Sequence, residues 1–129
     1  MSEILRQRIA SGSRWEEPYG YSRAVVVGDR CLVAGTTDPS GAHPGDARGQ
    51  ARAALAIIAT ALDEAGFVLA DVVRTRMYVT RAADAPTVAA VHGEFFGAVR
   101  PAATLVVVEA LIEPGLLVEI EAEAVRGGA

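Results

Sequence analysis

Three glutamates, Glu119, Glu121 and Glu123, occupy alternate positions near the end of the chain. In an extended strand this spacing puts all three carboxylates on one face. The run Val72 to Thr80 alternates in the same way, with Arg74, Arg76 and Tyr78 on one side and Val73, Thr75, Met77 and Val79 on the other. Carboxylates carry protons and guanidiniums pair with anions, so on facing strands the two sets are first of all partners for each other. The other reactive types are sparse. Cys31 is the single cysteine, which excludes an internal disulfide. It lies in an apolar run with no His/Asp company, which fits a small core residue better than a nucleophile. His43 in a loop and His92 on a helix lack the spacing of metal ligands, so no metal is expected. The chain has no phosphate-cradling loop, dinucleotide fingerprint or paired-cysteine motif, and no cofactor is expected.

Composition narrows the classes further. A chain of 129 residues fits one domain, 1–129. It is 51% hydrophobic but only 5% aromatic, so the core must be built from Val, Ala, Leu and Ile. The formal net charge is −4 and lysine is absent. With no basic run to displace counterions, nucleic acid is not an expected partner. No apolar run reaches the length of a membrane span, and residues 1–15 lack the layout of a signal peptide. The expectation is a soluble cytoplasmic protein with no membrane partner.

The elements that must position these side chains follow from period and punctuation. Residues 1–15 show no clear period and read as a loosely ordered lead-in. Tyr21 to Val27 and Cys31 to Thr36 are β-branched-rich runs separated by Gly28-Asp29, a hairpin signal. Asp38 to Gly45 is dense in turn formers and reads as a loop. Leu55, Ile58, Leu62 and Ala65 then recur at helical spacing, with Asp46 placed to cap the start and Gly66 the end. A second helix is expected from about Asp84, with Pro86 in its first turn, an inner stripe of Val88, Val91, His92 and Phe95, and Gly97 at its end. Ala103 to Val108 and Leu117 to Val125 complete the strands, the latter with Leu117 and Val125 on the glutamate face. The order is β-β-α-β-α-β-β, an α+β fold with one mixed sheet and two helices on one face. The uncovered face mixes apolar groups with both signs of charge, which points to an oligomer interface in which the charges pair.

Several ordered segments carry a resemblance. Arg100-Pro101-Ala102-Ala103-Thr104-Leu105-Val106-Val107-Val108, followed by Leu117-Val118-Glu119-Ile120-Glu121-Ala122, resembles the C-terminal signature of the RidA/YjgF family (endoribonuclease L-PSP-like). Gly28-Asp29, Ala34-Gly35-Thr36, Gln50 and Val72-Val73-Arg74-Thr75 fall in matching order, so the similarity runs from about Tyr21 to Arg126. The resemblance implies a chorismate-mutase-like fold, a homotrimer, and ligand clefts between subunits. Members of the RidA type hydrolyse reactive imines and enamines released by amino-acid dehydratases. They pair the substrate carboxylate with an arginine and position water with a glutamate. Carried over by position, the glutamate is Glu119, the cleft tyrosine is Tyr21, and Gly35 and Thr36 complete the pocket. The arginine falls on Ala103, whose methyl group cannot pair with a carboxylate. A deletion before Pro101 and an extra residue near Pro114-Gly115 reshape the cleft rim.

Each of these residues also has a plainer reading. Glu119 is either the water-positioning acid or one member of an alternating strand, and Glu121 and Glu123 read as partners for arginine. Tyr21 lines a cleft or packs at a sheet edge. Arg100 either lends its charge to the cleft or is a surface arginine before proline. The resemblance therefore implies a hydrolase (deaminase) of a small imine or enamine that is not the usual 2-imino acid. The alternative is a non-catalytic trimer binding a small ligand as regulator or scavenger. Ribonuclease activity is disfavoured by the acidic balance.

Overall fold

The computed structural model describes residues 6–126. Its strands are β1 (Arg6–Ile9), β2 (Ala24–Val27), β3 (Arg30–Thr36), β4 (Val72–Val79), β5 (Ala102–Val107) and β6 (Val118–Val125). The helices are α1 (Glu16–Tyr19), α2 (Ala47–Glu64) and α3 (Ala85–Phe96). All six strands form one sheet in the order β1-β2-β3-β6-β4-β5, antiparallel throughout except for the parallel β4–β5 pair. The expected α+β architecture with the long helices on one face is present, and its core lies between that face and α2 and α3.

Helix α2 forms because its sequence satisfies both ends and one side. The Asp46 carboxylate accepts the Gly49 N–H at 3.0 Å. At the far end Gly66 takes φ 83°, its N–H reaches Asp63 O, and the Phe67 N–H reaches Leu62 O at 2.8 Å. These two bonds make a Schellman stop, as the glycine there requires. Ala51, Ala54, Leu55, Ile58 and Leu62 are buried along the sheet side, and the small alanines let the helix approach closely.

Five expectations need correction. The lead-in is ordered from residue 6: Arg6–Ile9 pairs with β2, and the short α1 turn follows, while residues 1–5 lie outside the described part. Only Ile9 of that strand is buried, so an edge strand with one core residue left no period to read. In β4 a bulge sets Val73 and Arg74 against the single residue Glu123, so Val72 is 2% exposed and Val73 47%. The extra residue shifts the alternation by one at that end. In α3 the buried residues are Val88, Val91 and Phe96, with His92 and Phe95 half-buried. Leu117 is a core residue at 8% exposure, not part of the glutamate face. Finally, part of the charge on the uncovered face is already taken up within the chain, Arg76 by Glu123 at 3.4 Å and Glu121 by the Tyr78 hydroxyl.

Strand β5 is apolar yet exposed at every position but Leu105, because it is the sheet edge. Helix α3 is tied to the sheet by a buried polar contact, Thr75 Oγ1 to His92 Nε2 at 2.8 Å. Burial pushes His92 below its ordinary pKa of 6.5. A base whose folded pKa is depressed contributes stability that is complete above its unfolded pKa and is lost as pH falls through the folded value. The melting temperature is therefore expected to fall on acidification below about pH 6.5. Parallel melts of wild type and His92→Gln check this, since the variant should lose that part of the slope.

Candidate functional site

The site begins with an irregularity in β3. Val33 pairs with Ala122 and Thr36 with Ile120, so Ala34 and Gly35 together oppose Glu121. This bulge leaves Gly35 exposed, with one face of its backbone turned to the neighbouring Glu119 side chain on β6. A Cβ on residue 35 would lie 2.0 Å from Glu119 Oε2, closer than any real contact. Glycine is therefore the residue that lets the carboxylate lie flat against β3. On the other side of the bulge, Arg23 Nη1 donates to Gly35 O at 3.0 Å and to Thr36 Oγ1 at 2.7 Å.

Glu119 and Gly35 are shared by two cavities. The larger, about 1090 Å³, is lined by segments 9–15 and 112–116, by Gly35 and much of the loop from Thr37 to Pro44, by one side of α2, and by Tyr21, Arg23 and Glu119. The smaller, about 270 Å³, lies on the uncovered sheet face between Tyr78, Glu121 and the 108–111 segment. Glu119 thus stands at the partition, half-buried. Burial raises its pKa above the ordinary 4.5, the neighbouring Glu121 charge adds to the rise, and Arg23 opposes it. Among the described residues it has no hydrogen-bond partner. A carboxyl of this kind can take a proton from water and return it nearer to neutral pH than an exposed glutamate can.

Gln50 holds the walls of the larger cleft. Its side-chain amide donates to His43 O and Gly115 O, both at 3.0 Å, and its carbonyl accepts the Leu117 N–H at 2.8 Å. One buried side chain on α2 therefore fixes the loop before that helix and the loop before β6. Within the first loop, His43 Nδ1 meets Asp38 Oδ2 at 2.8 Å, and the Ser40 N–H and hydroxyl donate to the other oxygen. Burial alone would raise the Asp38 pKa, but the bonds from Ser40 and His43 outweigh it and hold the carboxyl below its usual value.

Of the residues named from sequence, Tyr21, Gly35 and Glu119 line the large cleft together. The Tyr21 hydroxyl is 3.0 Å from Ser13 Oγ. Thr36 is not in the lining: it is 1% exposed, and its hydroxyl donates to Ala34 O at 2.8 Å while accepting Arg23. The bulge turned it into the core, and Thr37 lines the cleft instead. Arg100 and Ala103 line neither cavity of the chain. Ala103 pairs with Thr75, three positions along β4 from Tyr78, the partner of Glu119. That separation is on the order of 10 Å along the strand, so one chain does not bring them to Glu119. Arg100 sits at φ 56° before Pro101, with its N–H on Phe96 O as α3 ends. Arg23 and the Asp38–His43 pair escaped sequence reasoning; the signal for the pair was the short spacing Asp38, Ser40, His43 inside a turn-rich loop. Cys31 is buried with its thiol pKa raised by burial, as a core residue should be. No group of three or more metal-ligating side chains occurs among the described residues.

Comparison with known proteins agrees with this fold and order of motifs. The sequence pattern of the endoribonuclease L-PSP family matches residues 13–126. The chain belongs to this family, the RidA/YjgF family. A solved Mycobacterium tuberculosis protein, described as a member of the highly conserved YjgF/YER057c/UK114 family, is 49% identical with a TM-score of 0.88, covering 95% of this chain and 100% of its own. The rat 2-iminobutanoate/2-iminopropanoate deaminase is 33% identical over 98% of this chain and 95% of its own length. The solved Escherichia coli TdcF, with bound serine, is 26% identical with a TM-score of 0.78, covering 98% of this chain and 100% of its own. No helix among the described residues of this RidA/YjgF member is long and apolar enough to cross a membrane.

The contact between Gly35 and Glu119 can be tested without a substrate. In Gly35→Ala the new Cβ meets the end of a flexible side chain rather than backbone, so the carboxylate should swing away while the fold persists. Carboxyl titration followed by NMR should then show Glu119 moving back toward 4.5. An unchanged titration would show that the carboxylate does not lie against residue 35.

Proposed function

We propose that this protein is a hydrolase of a small reactive imine or enamine, with Glu119 as its proton-transferring residue. The observation that carries this reading is the half-buried carboxyl of raised pKa seated on a glycine bulge at the wall of a large cleft. In the reaction, water adds to the carbon of the N-protonated imine as Glu119 takes one water proton, giving a neutral carbinolamine. Glu119 then returns that proton to nitrogen; the C–N bond breaks as the hydroxyl oxygen forms the carbonyl double bond, its proton passing to Glu119 and on to the departing ammonia, so that ammonium and a carbonyl compound leave. An enamine enters the same sequence after protonation at carbon. The name of the rat relative, an iminobutanoate/iminopropanoate deaminase, supports this reaction class. Ala103, at the position where the resemblance puts the family arginine, argues that the substrate does not present a carboxylate there. The lining of the large cleft carries four carboxylates (Asp38, Glu64, Glu113, Glu119) against two guanidiniums (Arg14, Arg23), a balance unsuited to tracking a phosphate backbone. This weighs against ribonuclease activity.

We further propose that the working unit is a homotrimer. One sheet face is uncovered, and it exposes Leu32 (41%), Val106 (42%) and Val125 (37%) among charged neighbours of which Arg76, Glu121 and Glu123 are already partnered within the chain. Such a face suits contact with copies of itself, and a neighbouring chain over it would close the smaller cavity beside Glu119. Light scattering should return three times the 13.4 kDa chain mass at micromolar concentration. A monomer mass would end this proposal.

Glu119→Gln tests the catalytic assignment. Turnover of imines should fall by roughly 10²–10⁴-fold, the usual consequence of losing an acid/base group. Stability should move the other way. A carboxyl whose folded pKa is raised contributes stability below its unfolded pKa, and this is lost as pH rises through the folded value. The variant should therefore melt higher than wild type at neutral pH, and the gap should close below pH 4.5. Full turnover in the variant would remove Glu119 from the mechanism. A changed ligand affinity with no turnover in either protein would favour a ligand-binding regulator or scavenger instead.

A further inference from the structure

The large cleft holds a second acid/base constellation besides Glu119. Asp38, only 5% exposed, and His43 both line it. One Asp38 oxygen meets His43 Nδ1 at 2.8 Å, and the other accepts the Ser40 N–H at 2.9 Å and hydroxyl at 2.6 Å. These bonds fix the carboxylate and favour its ionised form. An ionised carboxylate takes the Nδ1 proton, which leaves the lone pair of a neutral ring on Nε2. Nε2 has no partner among the described residues, and the His43 side chain is 37% exposed. A staple within the loop would need Nδ1 alone; the second ring nitrogen is left over.

The ring is held from the helix side as well. The His43 carbonyl accepts the Gln50 amide at 3.0 Å and the Asp46 N–H at 3.2 Å. The ring itself lies on Gly49, in the first turn of α2. A Cβ there would stand 2.3 Å from His43 Cδ2 and 2.7 Å from Cγ. Glycine weakens a helix relative to alanine, so its use at this position has a steric reason: the imidazole occupies the space of the side chain. Gly35 does the same for Glu119. In both places bare backbone gives an acid/base group of the cleft a flat support.

The chemistry has work for a second group. Glu119 must be ionised to take a proton from water, so it cannot at that moment be the acid that turns an enamine into an iminium ion. Imidazole is the side chain whose ordinary range lets it both carry and release a proton near neutrality. We propose that His43 is the catalytic acid of this cleft, delivering a proton from Nε2 to the carbon of a small neutral enamine, with Asp38 as its positioning residue. The Nε2–H bond of the imidazolium breaks and its proton forms a C–H bond. The C=C pair shifts as the nitrogen lone pair closes C=N⁺, and the neutral ring regains a proton from solvent. Glu119 then brings water to the iminium carbon. The proposal rests on the hydrolase reading only for that later step, because delivery to carbon precedes the addition of water.

The experiment uses the whole chain and 2-methyl-1-pyrroline, a neutral cyclic imine that exchanges its α-hydrogens through the enamine and opens on hydration to an amino ketone. Both processes are followed by NMR in D₂O against a protein-free control. Wild type should speed deuterium uptake and ring opening alike. His43→Ala should lose roughly 10²–10⁴-fold in catalysed uptake, the usual effect of removing an acid/base group. Added imidazole should restore part of it, which a merely structural loss would not allow. Gly49→Ala keeps the imidazole but displaces it, and should also slow uptake. Nitrogen-15 spectra of the two histidines should show neutral His43 protonated at Nδ1, shifting toward the Nε2–H form in Asp38→Asn as uptake falls. Undiminished uptake in His43→Ala or Gly49→Ala, a loss that imidazole does not restore, or a neutral wild-type ring protonated at Nε2 would overturn the proposal. If His43→Ala does not fold, Gly49→Ala and the wild-type tautomer decide. Uptake without ring opening refutes the hydrolase and leaves His43 standing; opening without uptake does the reverse, and neither process refutes both.

Discussion

The carboxylate of Glu119 and the missing side chain of residue 35 occupy the same space, and much of the molecule is arranged so that they can. For the carboxyl to lie on β3, that strand must carry an extra residue, since in regular pairing position 35 would not face it in this way. The bulge in turn turns Thr36 into the core, and Arg23 reaches the carbonyls of Ala34 and Gly35 and the Thr36 hydroxyl. The position of a candidate acid, the conformation of a strand and the orientation of a guanidinium are thus one arrangement with a single steric origin. A side chain larger than hydrogen at position 35 meets the Glu119 carboxyl first and must displace it.

This arrangement costs stability at the point where chemistry is offered. A half-buried carboxylate beside a second one is worse off than in water, and the fold tolerates it because the surrounding elements are secure. Helix α2 has both ends satisfied and a continuous alanine, leucine and isoleucine face against the sheet. Gln50 uses that rigidity. Its three hydrogen bonds reach two loops far apart in sequence, so both cleft walls are held by one buried side chain. The Asp38–His43 pair then stiffens the first of those loops from within.

The two faces of the sheet do different work. The helical face is saturated, with even the Thr75 hydroxyl matched by His92. The other face has Arg76, Tyr78, Glu121 and Glu123 partnered within the chain and several aliphatic groups exposed, which is the reverse of what a lone solvent-facing surface tends toward. Edge strand β5, apolar and uncovered, belongs with that surface. Ala103 and Arg100 lie at the end of β5 away from Glu119 and line neither cavity.

Local patterns were legible wherever a residue's neighbours in space are its neighbours in sequence. The period and caps of α2, the hairpin at Gly28-Asp29, the alternation of β6 and the start of α3 after Asp84 all come from interactions spanning a few residues. The ordered motifs also placed the chain in its family and singled out Glu119, Gly35 and Tyr21, which the fold does gather in one cleft. Bulges were not legible, because an extra residue in β3 or β4 is defined only against the partner strand; hence the misplacement of Val73 and Thr36. Nor was Arg23, an unremarkable arginine before a strand until the carbonyls of residues 34 and 35 are turned toward it. The sequence by itself determined the long helices, strands β2 to β6, the family and Glu119 as the candidate acid. Tertiary structure alone decided what the acid rests on and which cation faces it, because those contacts cross strands and depend on where each chain direction bends.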